Sequence, residues 1–534
     1  MPPPPFRNKL PPVKIRLLPS ILAVWLLAFR LPAQLTLPDT QTVIAQAVTR
    51  ASNIASNAVI AVVDREGWVL GVWSVNGTVP ATDVLANAIA KAGTASFLSS
   101  DQHAFTSRTA GYIVQQHFPP GVLNKPNGPL VGVNFSNLAF SDINKIKGPG
   151  SVITFSATPG NSIVPVPVPV TGGLAGTPGG VPLFKNGHLV GGVGVAKSGD
   201  DPTAVQVNQV PDIDEDIALA GQTGFAPAEV ILGSHVLIDG IRVAYVNSTT
   251  TLGAVIPFGS LPGALVAAYP VIAAPTPFAY PTIILGGLTN EIRQPITSDP
   301  IAGNILGQAR LTAAEVTDIL ALAANRARTT RAGIRLPRGQ ASQNFITVVN
   351  NPYSNGVAPT VLGTIRTPGA TMFSWDVCVQ KARTAVFFSA TNYAYSTRTV
   401  GFMAQSLYPP GIAGTQPGLF IGMQERFSLF PAPFPASPAA PVTNPLDGVV
   451  ATNNPVIDPN LPNGITIFPG GFPLYRNGVL IGAIGVSGDG IDQDDLIATS
   501  GCANFLAPYA IRGDQFFYRN ARLPYAKFPR NPAL

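Results

Sequence analysis

The sequence predicts a mixed α/β fold of the α+β type that occurs twice in tandem, each copy being an antiparallel sheet packed with helices. Residues 91–121 align without a gap on residues 381–411, and 14 of these 31 positions are identical. Residues 180–195 match residues 471–486, and both segments place an Asn-Gly pair between two apolar runs. Asn-Gly is typical of a two-residue hairpin turn, because both residues tolerate positive φ. Since the matching blocks keep the same order, a whole domain is duplicated.

The elements of each copy follow from residue type and spacing. Apolar residues near helical spacing predict a first helix in "LPDTQTVIAQAVTRA" and in "LTAAEVTDILALAANRA". The β-branched runs "NAVIAVVD" and "QNFITVVN" predict the next strand, which in copy one turns back at Glu66-Gly67. The block that begins at Lys91 or Lys381 is a predicted helix that ends before Pro-Pro-Gly. The Asn-Gly hairpin follows, with glycines expected at turns and close contacts, and an acidic run opens the last helix.

The repeats also place the domain boundaries. A chain of 534 residues is too long for one ordinary hydrophobic core. Stretches such as "VPVPVPV" can neither continue a helix nor donate fully to a sheet, so each copy carries a long loop insertion. The predicted segments are a signal peptide (1–33), a first domain (36–245, insertion about 122–178), a packed apolar Pro- and Gly-rich linker (246–308) and a second domain (309–534, insertion about 412–469).

The N-terminal segment is basic and then apolar. The net charge of +6 includes five cations in the first 34 residues, which contain no acid, so the rest of the chain is nearly neutral and carries no charge signature of nucleic-acid or anionic-lipid binding. Residues 17–29 are mostly apolar but too few to span a bilayer, and Ala33 follows them. The pattern predicts a cleaved signal peptide of a secreted or periplasmic protein with no later membrane span. An uncleaved anchor is the alternative, because Arg30 interrupts the segment before the cleavage site.

The two cysteines, Cys378 and Cys502, both belong to the second copy. In a secreted protein such a pair can form a disulfide. Two separate buried thiols are the alternative, and the sequence leaves both open.

An ordered set of short motifs resembles the GlcG/HbpS family of haem-binding proteins, which includes the C-terminal domain of PduO. In copy one the motifs are "AVIAVVDREGWVL", "KAGTA", "GGVP" and "GVGVAKSG", and in copy two they are "KARTA", "GGFP" and "AIGVSG". No single motif is specific, but the ordered set is, and it covers most of each copy outside the insertions. Copy two departs from the pattern near its start, where Asp64 has no clear counterpart.

The resemblance implies a profilin-like fold in each copy and a homo-oligomer as one form of assembly. Some members bind haem, so the resemblance implies haem or a related small planar molecule as the ligand. It further implies an exported, non-enzymatic scavenger, carrier or sensor accessory.

Charged and hydroxyl residues repeated in both copies are the candidate ligand-binding residues. The peptides "TSRTAG" and "STRTVG" place Arg108 and Arg398 among small residues, where the guanidinium fork suits a carboxylate such as a haem propionate. The alternative is a structural arginine that binds a helix end or an acid of the last helix, such as Asp214 or Asp494.

The "KA-x-TA" motif adds two lysines and two threonines to the candidates, namely Lys91, Thr94, Lys381 and Thr384. Through the resemblance, each threonine hydroxyl would line a ligand pocket. A bond to a carbonyl inside the helix is the alternative for the threonines, and a surface position with a buried stem is the alternative for the lysines.

Histidine is the usual axial ligand of haem iron, and tyrosine is one replacement. None of the four histidines is repeated: they are His103, His117, His188 and His235. Only His103, which aligns with Tyr393, exchanges one iron-binding side chain for another, so these two are the candidate ligand-binding and metal-ligating residues. No motif for covalent haem or catalytic zinc is present.

Three functions remain open from the sequence. The first, which we predict, is the binding of haem or a related planar ligand without catalysis. The second is an enzyme or accessory subunit of small-acid or tetrapyrrole metabolism, which the lack of a shared nucleophile and base disfavours. The third is a structural module that has lost its ligand, which the lack of a shared histidine favours.

Overall fold

A computed structural model places most of the chain outside its N-terminal segment and its long insertions. The described residues are 33–115, 117–122, 125, 128–133, 136, 174–198, 209–275, 280–334, 339–421, 423–424, 442–443, 450–451, 460–461, 463–530 and 532–533. The predicted signal peptide, apart from Ala33, and most of both predicted insertions therefore lie outside the described residues.

The elements follow the predicted order in both copies. Copy one contains helices α1 (Leu37–Ile54), α2 (Thr82–Phe97), α3 (Ser107–Ile113) and α4 (Ile213–Gly221), with strands β1 (Ala58–Asp64), β2 (Val69–Ser74), β3 (Gly180–Lys185), β4 (His188–Lys197), β5 (Leu237–Ile238) and β6 (Ile241–Arg242). The next segment supplies β7 (Ala264–Leu265), β8 (Thr282–Leu285) and β9 (Leu288–Gln294). Copy two contains helices α5 (Ala313–Thr329), α6 (Phe373–Phe387), α7 (Thr397–Met403) and α8 (Ile491–Gly501), with strands β10 (Phe345–Asn350), β11 (Val361–Arg366), β12 (Val442–Thr443), β13 (Val450–Ala451), β14 (Gly471–Arg476), β15 (Val479–Ser487), β16 (Phe517–Tyr518) and β17 (Ala521–Arg522).

Each copy is built on one main antiparallel sheet. Among the described strands the order is β3-β4-β1-β2-β7 in copy one and β14-β15-β10-β11-β9-β8 in copy two. The segment 246–308, which the sequence presents as a packed linker, thus supplies an edge strand to the first sheet and a hairpin to the second. The predicted fold class, two tandem antiparallel sheets packed with helices, is confirmed.

Helices cover both faces of the sheet, and this explains the unbroken apolar run of β1. Ile60 and Val62 pack into the core formed with α1 and α4. Val59 and Ala61 point to the other face and pack against α2. Successive side chains of a strand alternate between faces, so a strand covered on both sides reads as continuously apolar.

The predicted turns and close glycine contacts are present. Asn186 (φ 54°) and Gly187 (φ 80°) connect β3 to β4, and the second Asn-Gly pair turns in the same way in copy two. A Cβ added to Gly194 would lie 2.2 Å from the Ala88 carbonyl oxygen, because α2 lies directly on β4. Glycine is therefore required there by the packing of the helix on the strand.

The block predicted as one helix contains two helices in each copy. In copy one α2 ends at Phe97, and α3 begins after Thr106, whose Oγ1 accepts the Thr109 backbone N–H at 3.0 Å. In copy two Ser396 caps α7 in the same way. The repeated peptides "TSRTAG" and "STRTVG" thus start a short capped helix. The prediction of one continuous helix across the whole block did not separate this helix from the longer one before it.

Two further sequence questions are answered by the described residues. Both cysteines, Cys378 and Cys502, are buried free thiols, as in the alternative without a disulfide. In the part of the chain that the structure describes, no helix combines the length and apolar character needed to cross a membrane.

The two copies pack directly against each other. Phe97 and Phe105 of copy one and Phe373 and Trp375 of copy two belong to one buried apolar cluster. Because the cluster draws on both copies, neither copy can complete this part of its core alone.

A buried arginine reinforces the contact between the copies. The Arg293 side chain on β9 is 0% exposed, and its Nη1 lies 3.0 Å from Glu66 Oε2 in the β1–β2 turn of copy one. Its Nη2 pairs with Glu291, and its guanidinium lies 3.6 Å from the centroid of the Tyr280 ring. Strand β9 of the second sheet is thereby tied to a turn of the first.

Replacing this arginine should destabilise the whole protein. Arg293→Ala is expected to lower the free energy of unfolding by about 3 kcal/mol or more, because the mostly buried Glu66 would lose its cation. Urea denaturation followed by tryptophan fluorescence measures the effect. Arg328→Ala removes an exposed arginine and is the control, with an expected change of about 0.5 kcal/mol or less. Equal effects of the two substitutions would contradict the structural role of Arg293.

Candidate functional site

Both predicted lysines are buried against the last helix of their own copy. Lys91 Nζ lies 2.8 Å from Asp214 Oδ2, and Lys381 Nζ lies 2.8 Å from Asp494 Oδ2. Each lysine side chain is 1% exposed. A buried ammonium is tolerated only with a partner of opposite charge, so each lysine has a structural role as the partner of a buried carboxylate. Their contact with a ligand stays a prediction.

The predicted arginines bind neighbouring acids of the same helices. Arg108 holds Glu215 with two parallel bonds, from Nε to Oε1 (2.7 Å) and from Nη2 to Oε2 (3.0 Å). Arg398 donates from Nε to Asp495 Oδ2 and from Nη2 to Asp492 Oδ1, the latter at 2.7 Å. These charge-assisted bonds use the planar fork that distinguishes arginine from lysine.

The acids lie in the first turns of α4 and α8, as predicted from the acidic runs. Carboxylates suit this end of a helix because its backbone N–H groups carry partial positive charge. The sequence offered Asp214 or Asp494 as structural partners of the arginines. In the structure those two acids pair with the lysines, and the next acid along each helix pairs with the arginine. Lysine and arginine of each copy are thus brought to one helix turn.

The predicted threonines hold a returning loop segment against the helix. Thr94 Oγ1 donates to the Ala90 carbonyl at 2.7 Å and accepts the Ala175 backbone N–H at 2.8 Å. Thr384 Oγ1 accepts the Thr466 backbone N–H at 3.1 Å. Both hydroxyls therefore act where the chain returns from the predicted insertions.

His103 and Tyr393 lie in the turn before the short capped helix of each copy. His103 is 2% exposed, with Nδ1 2.9 Å from Ser100 Oγ and Nε2 2.9 Å from the Leu98 carbonyl oxygen. A carbonyl oxygen only accepts, so Nε2 carries the proton and Nδ1 accepts from the serine. Both ring nitrogens are engaged inside the turn, whereas Tyr393 is 36% exposed.

The two arginine sites differ in the hydrogen bonds made by the acid, which is Glu215 in copy one and Asp495 in copy two. In copy one the Glu215 carboxylate also accepts the backbone N–H groups of Asn247 and Ser248 at 2.9 Å each. In copy two Asp495 Oδ2 accepts from Arg398 and from Lys527 N, but Oδ1 is buried with no hydrogen-bond partner among the described residues.

The two arginines also differ in exposure. The Arg108 side chain is 1% exposed and also donates to the Val210 carbonyl. The Arg398 side chain is 13% exposed. The guanidinium of copy one is closed in, whereas that of copy two has an open edge.

A cleft of about 210 Å³ lies between the copies at this open edge. Copy one contributes a loop with His117, Lys125 and Val131, and copy two contributes α7 and the segment before β14. Apolar and cationic side chains meet there: Val131, Phe402, Phe468, His117, Lys125 and Arg398. Among the described lining residues, Arg398 is the one that the sequence named as ligand-binding.

His117 is held in a defined orientation at the edge of the cleft. Its Nδ1 lies 2.7 Å from the Lys125 carbonyl oxygen. Since the carbonyl only accepts, Nδ1 carries the proton of the neutral ring, and Nε2 keeps its lone pair.

Sequence comparison between the copies passed over His117, because Leu407 stands at the matching position. Leu407 lines the same cleft from the other copy. A site formed once, at the contact between copies, takes different residues from each and needs no shared histidine. A search for residues repeated in both copies does not find a cleft of this kind.

Asp495, which has one carboxylate oxygen without a hydrogen-bond partner among the described residues, should make the free energy of unfolding depend on pH. Burial raises the pKa of its carboxyl from the usual 3.8 to about 6, and the attraction of Arg398 only partly offsets this. The folded state therefore takes up a proton at a higher pH than the unfolded state does. The contribution of Asp495 to the free energy of unfolding should fall as the pH rises from about 5 to about 7.

Chemical denaturation of wild type and Asp495→Asn across this range tests the expectation. The stability of wild type relative to the variant should fall as the pH rises. Asp514→Asn is the matched control: burial opposes ionisation of Asp514, but hydrogen bonds from Arg512 and Gln515 outweigh it and lower its pKa. Its difference from wild type should stay constant over the same range. A constant difference for Asp495→Asn as well would contradict the assignment.

The comparisons with known proteins agree with the duplication. A family model described as "Haem degrading protein HbpS-like" matches residues 35–206 and 356–503, more than half of the chain. Similar solved structures are a PduOC:heme complex (20% identity, 38% of this chain and 98% of that one, TM-score 0.22), the Klebsiella pneumoniae protein ORFY (21%, 37% and 94%, 0.22) and a double mutant of Streptomyces reticuli HbpS (20%, 41% and 99%, 0.21). No curated protein matches the chain in sequence. The predicted resemblance and tandem duplication are confirmed, and the chain belongs to the HbpS-like family.

Proposed function

We propose that this protein is an exported binding protein that holds haem, or a related small planar ligand, in the cleft between its copies without transforming it. The observation that carries the proposal is the convergence of an imidazole (His117), a guanidinium (Arg398) and an ammonium (Lys125) on one apolar-walled cleft. Ligand sites typically combine apolar walls with a few placed polar groups. The description of the family supports haem as the ligand.

The side chains of the cleft fit haem chemically. Imidazole nitrogen is the usual axial ligand of haem iron. The propionates are carboxylates, which arginine and lysine bind through charge-assisted hydrogen bonds. Phe402 and Phe468 offer apolar surface to the macrocycle. The cleft volume of about 210 Å³ lies below the roughly 300–1,000 Å³ of sites that enclose a drug-sized ligand, so the cleft would enclose part of the macrocycle and leave the rest exposed.

Export remains part of the proposal and rests on the N-terminal sequence. A basic segment precedes residues 17–29, which are mostly apolar, and Ala33 provides the small residue for cleavage. A secreted or periplasmic location follows from this pattern, and such a location would give a binding protein access to extracellular ligand.

Two other functions have specific support. The family description favours haem degradation. The internal pairing of Lys91, Arg108 and Lys381 favours a structural module, because these charges are already neutralised inside each copy. The titration below separates both from simple binding.

Hemin added to the purified full chain should give a Soret band distinct from that of free hemin. It should also raise the melting temperature, because a ligand that binds only the folded state stabilises that state. Lys125→Glu should weaken hemin binding several-fold through repulsion of the propionates. Arg328→Glu makes the same charge change on an exposed face of α5 and should leave binding unchanged.

Three outcomes decide between the functions. A stable Soret complex in air with ascorbate supports binding. Loss of that band over time under the same conditions supports degradation. If hemin changes neither absorbance nor melting temperature, the binding proposal is wrong and the structural module remains.

A further inference from the structure

We propose that the cleft is a single iron site assembled from both copies, in which His117 of copy one supplies the axial nitrogen and Arg398 of copy two binds a carboxylate of the same ligand. This inference rests on the proposed function. It names the iron ligand and places the iron ligand and the carboxylate-binding residue in different copies. Copy two has Leu407 in place of His117, and copy one has the closed-in Arg108 in place of Arg398.

The hydrogen bond of His117 is the first support. A histidine that binds a metal commonly donates its other ring N–H to a carbonyl or carboxylate, which fixes the tautomer and the orientation of the ring. The bond from His117 Nδ1 to the Lys125 carbonyl is of this kind. It leaves Nε2 as the atom with an available lone pair, on a residue that lines the cleft.

The other histidines are less suited to this role. Both ring nitrogens of His103 are bonded within its own turn. His188 Nδ1 pairs with Asp101 at 2.8 Å, and His235 lies 3.8 Å from Glu229. Among the described residues, His117 is the histidine that lines the cleft.

The geometry of Arg398 is the second support. Its bonds within the described chain leave from Nε and Nη2, toward Asp495 and Asp492. Nη1 is therefore the nitrogen with hydrogens to offer a ligand carboxylate. Arg108 Nη1 in copy one likewise has no hydrogen-bond partner among the described residues, but the Arg108 side chain is 1% exposed, so this nitrogen is closed to a ligand.

The position of the His117 loop depends on copy two. Leu130, Val131 and Val133 of this loop belong to the apolar cluster that contains Trp375. The buried Gln424 of copy two also donates from Nε2 to the Gly132 carbonyl at 2.9 Å. The contact between copies thus holds the loop of His117 in place, and the imidazole and the guanidinium line the same cleft.

The test compares hemin with metal-free protoporphyrin IX in His117→Ala and in His188→Ala, all in the full chain. Both histidines are near the surface, so neither change should unfold the protein. His117→Ala should weaken hemin binding by about tenfold or more and shift the Soret maximum, while protoporphyrin IX binds as in wild type. His188→Ala should match wild type with both ligands.

Chemical rescue by added imidazole is a second test of the iron ligand. Imidazole added to His117→Gly with hemin should restore the wild-type Soret maximum, because it can enter the space left by the ring. Hemin binding by His117→Ala with unchanged affinity and spectrum would overturn this inference while the proposed function stands. Failure of wild type to bind hemin at all would remove both.

Discussion

The contact between the two copies is the constraint on which the architecture and its site depend. Apolar side chains from the α2–α3 region of one copy and the start of α6 in the other fill a common core. Across the same boundary the buried Arg293 is neutralised by Glu66. A cation with no exposed surface fixes the register of its partners, because displacement would leave charges unpaired at low dielectric. The segment between the copies contributes strands to both sheets, so the tandem repeat packs as one body.

The two copies share one set of ion pairs with the last helix but differ in the surroundings of the arginine. In each copy a lysine and an arginine meet consecutive acids of the last helix. Where the second acid is Glu215, both carboxylate oxygens accept from the arginine and the pair is closed to solvent. Where it is Asp495, one carboxylate oxygen is left unpartnered among the described residues and the arginine borders a cleft. The two copies therefore share the ion pairs but differ around the arginine, and the arginine of copy two borders the cleft that we propose as the ligand site.

The sequence predicted the features that depend on residues close together in the chain, such as turns and helix starts. Asn-Gly pairs demanded hairpin turns, acidic runs marked helix starts, and the ordered repeats revealed two copies of one fold. The sequence did not reveal which acid pairs with which cation, since Asp214 and Glu215 are adjacent and their directions depend on how α4 packs. It also did not indicate the iron-binding role that we propose for His117, because the cleft joins segments hundreds of residues apart in sequence and Leu407 stands in place of the histidine in copy two. The two-helix structure of the repeated block was missed although serine, aspartate and threonine in the segment from Leu98 to Thr106 favour turns and helix caps over helix interiors.

The number of hemin molecules bound per chain tests this account most directly. If the contact between copies creates the site, isothermal titration of the full chain with hemin should saturate at one per chain, although the chain carries two copies of the fold. Saturation at two per chain, with equal affinity, would show that each copy binds on its own and would contradict a site assembled between them.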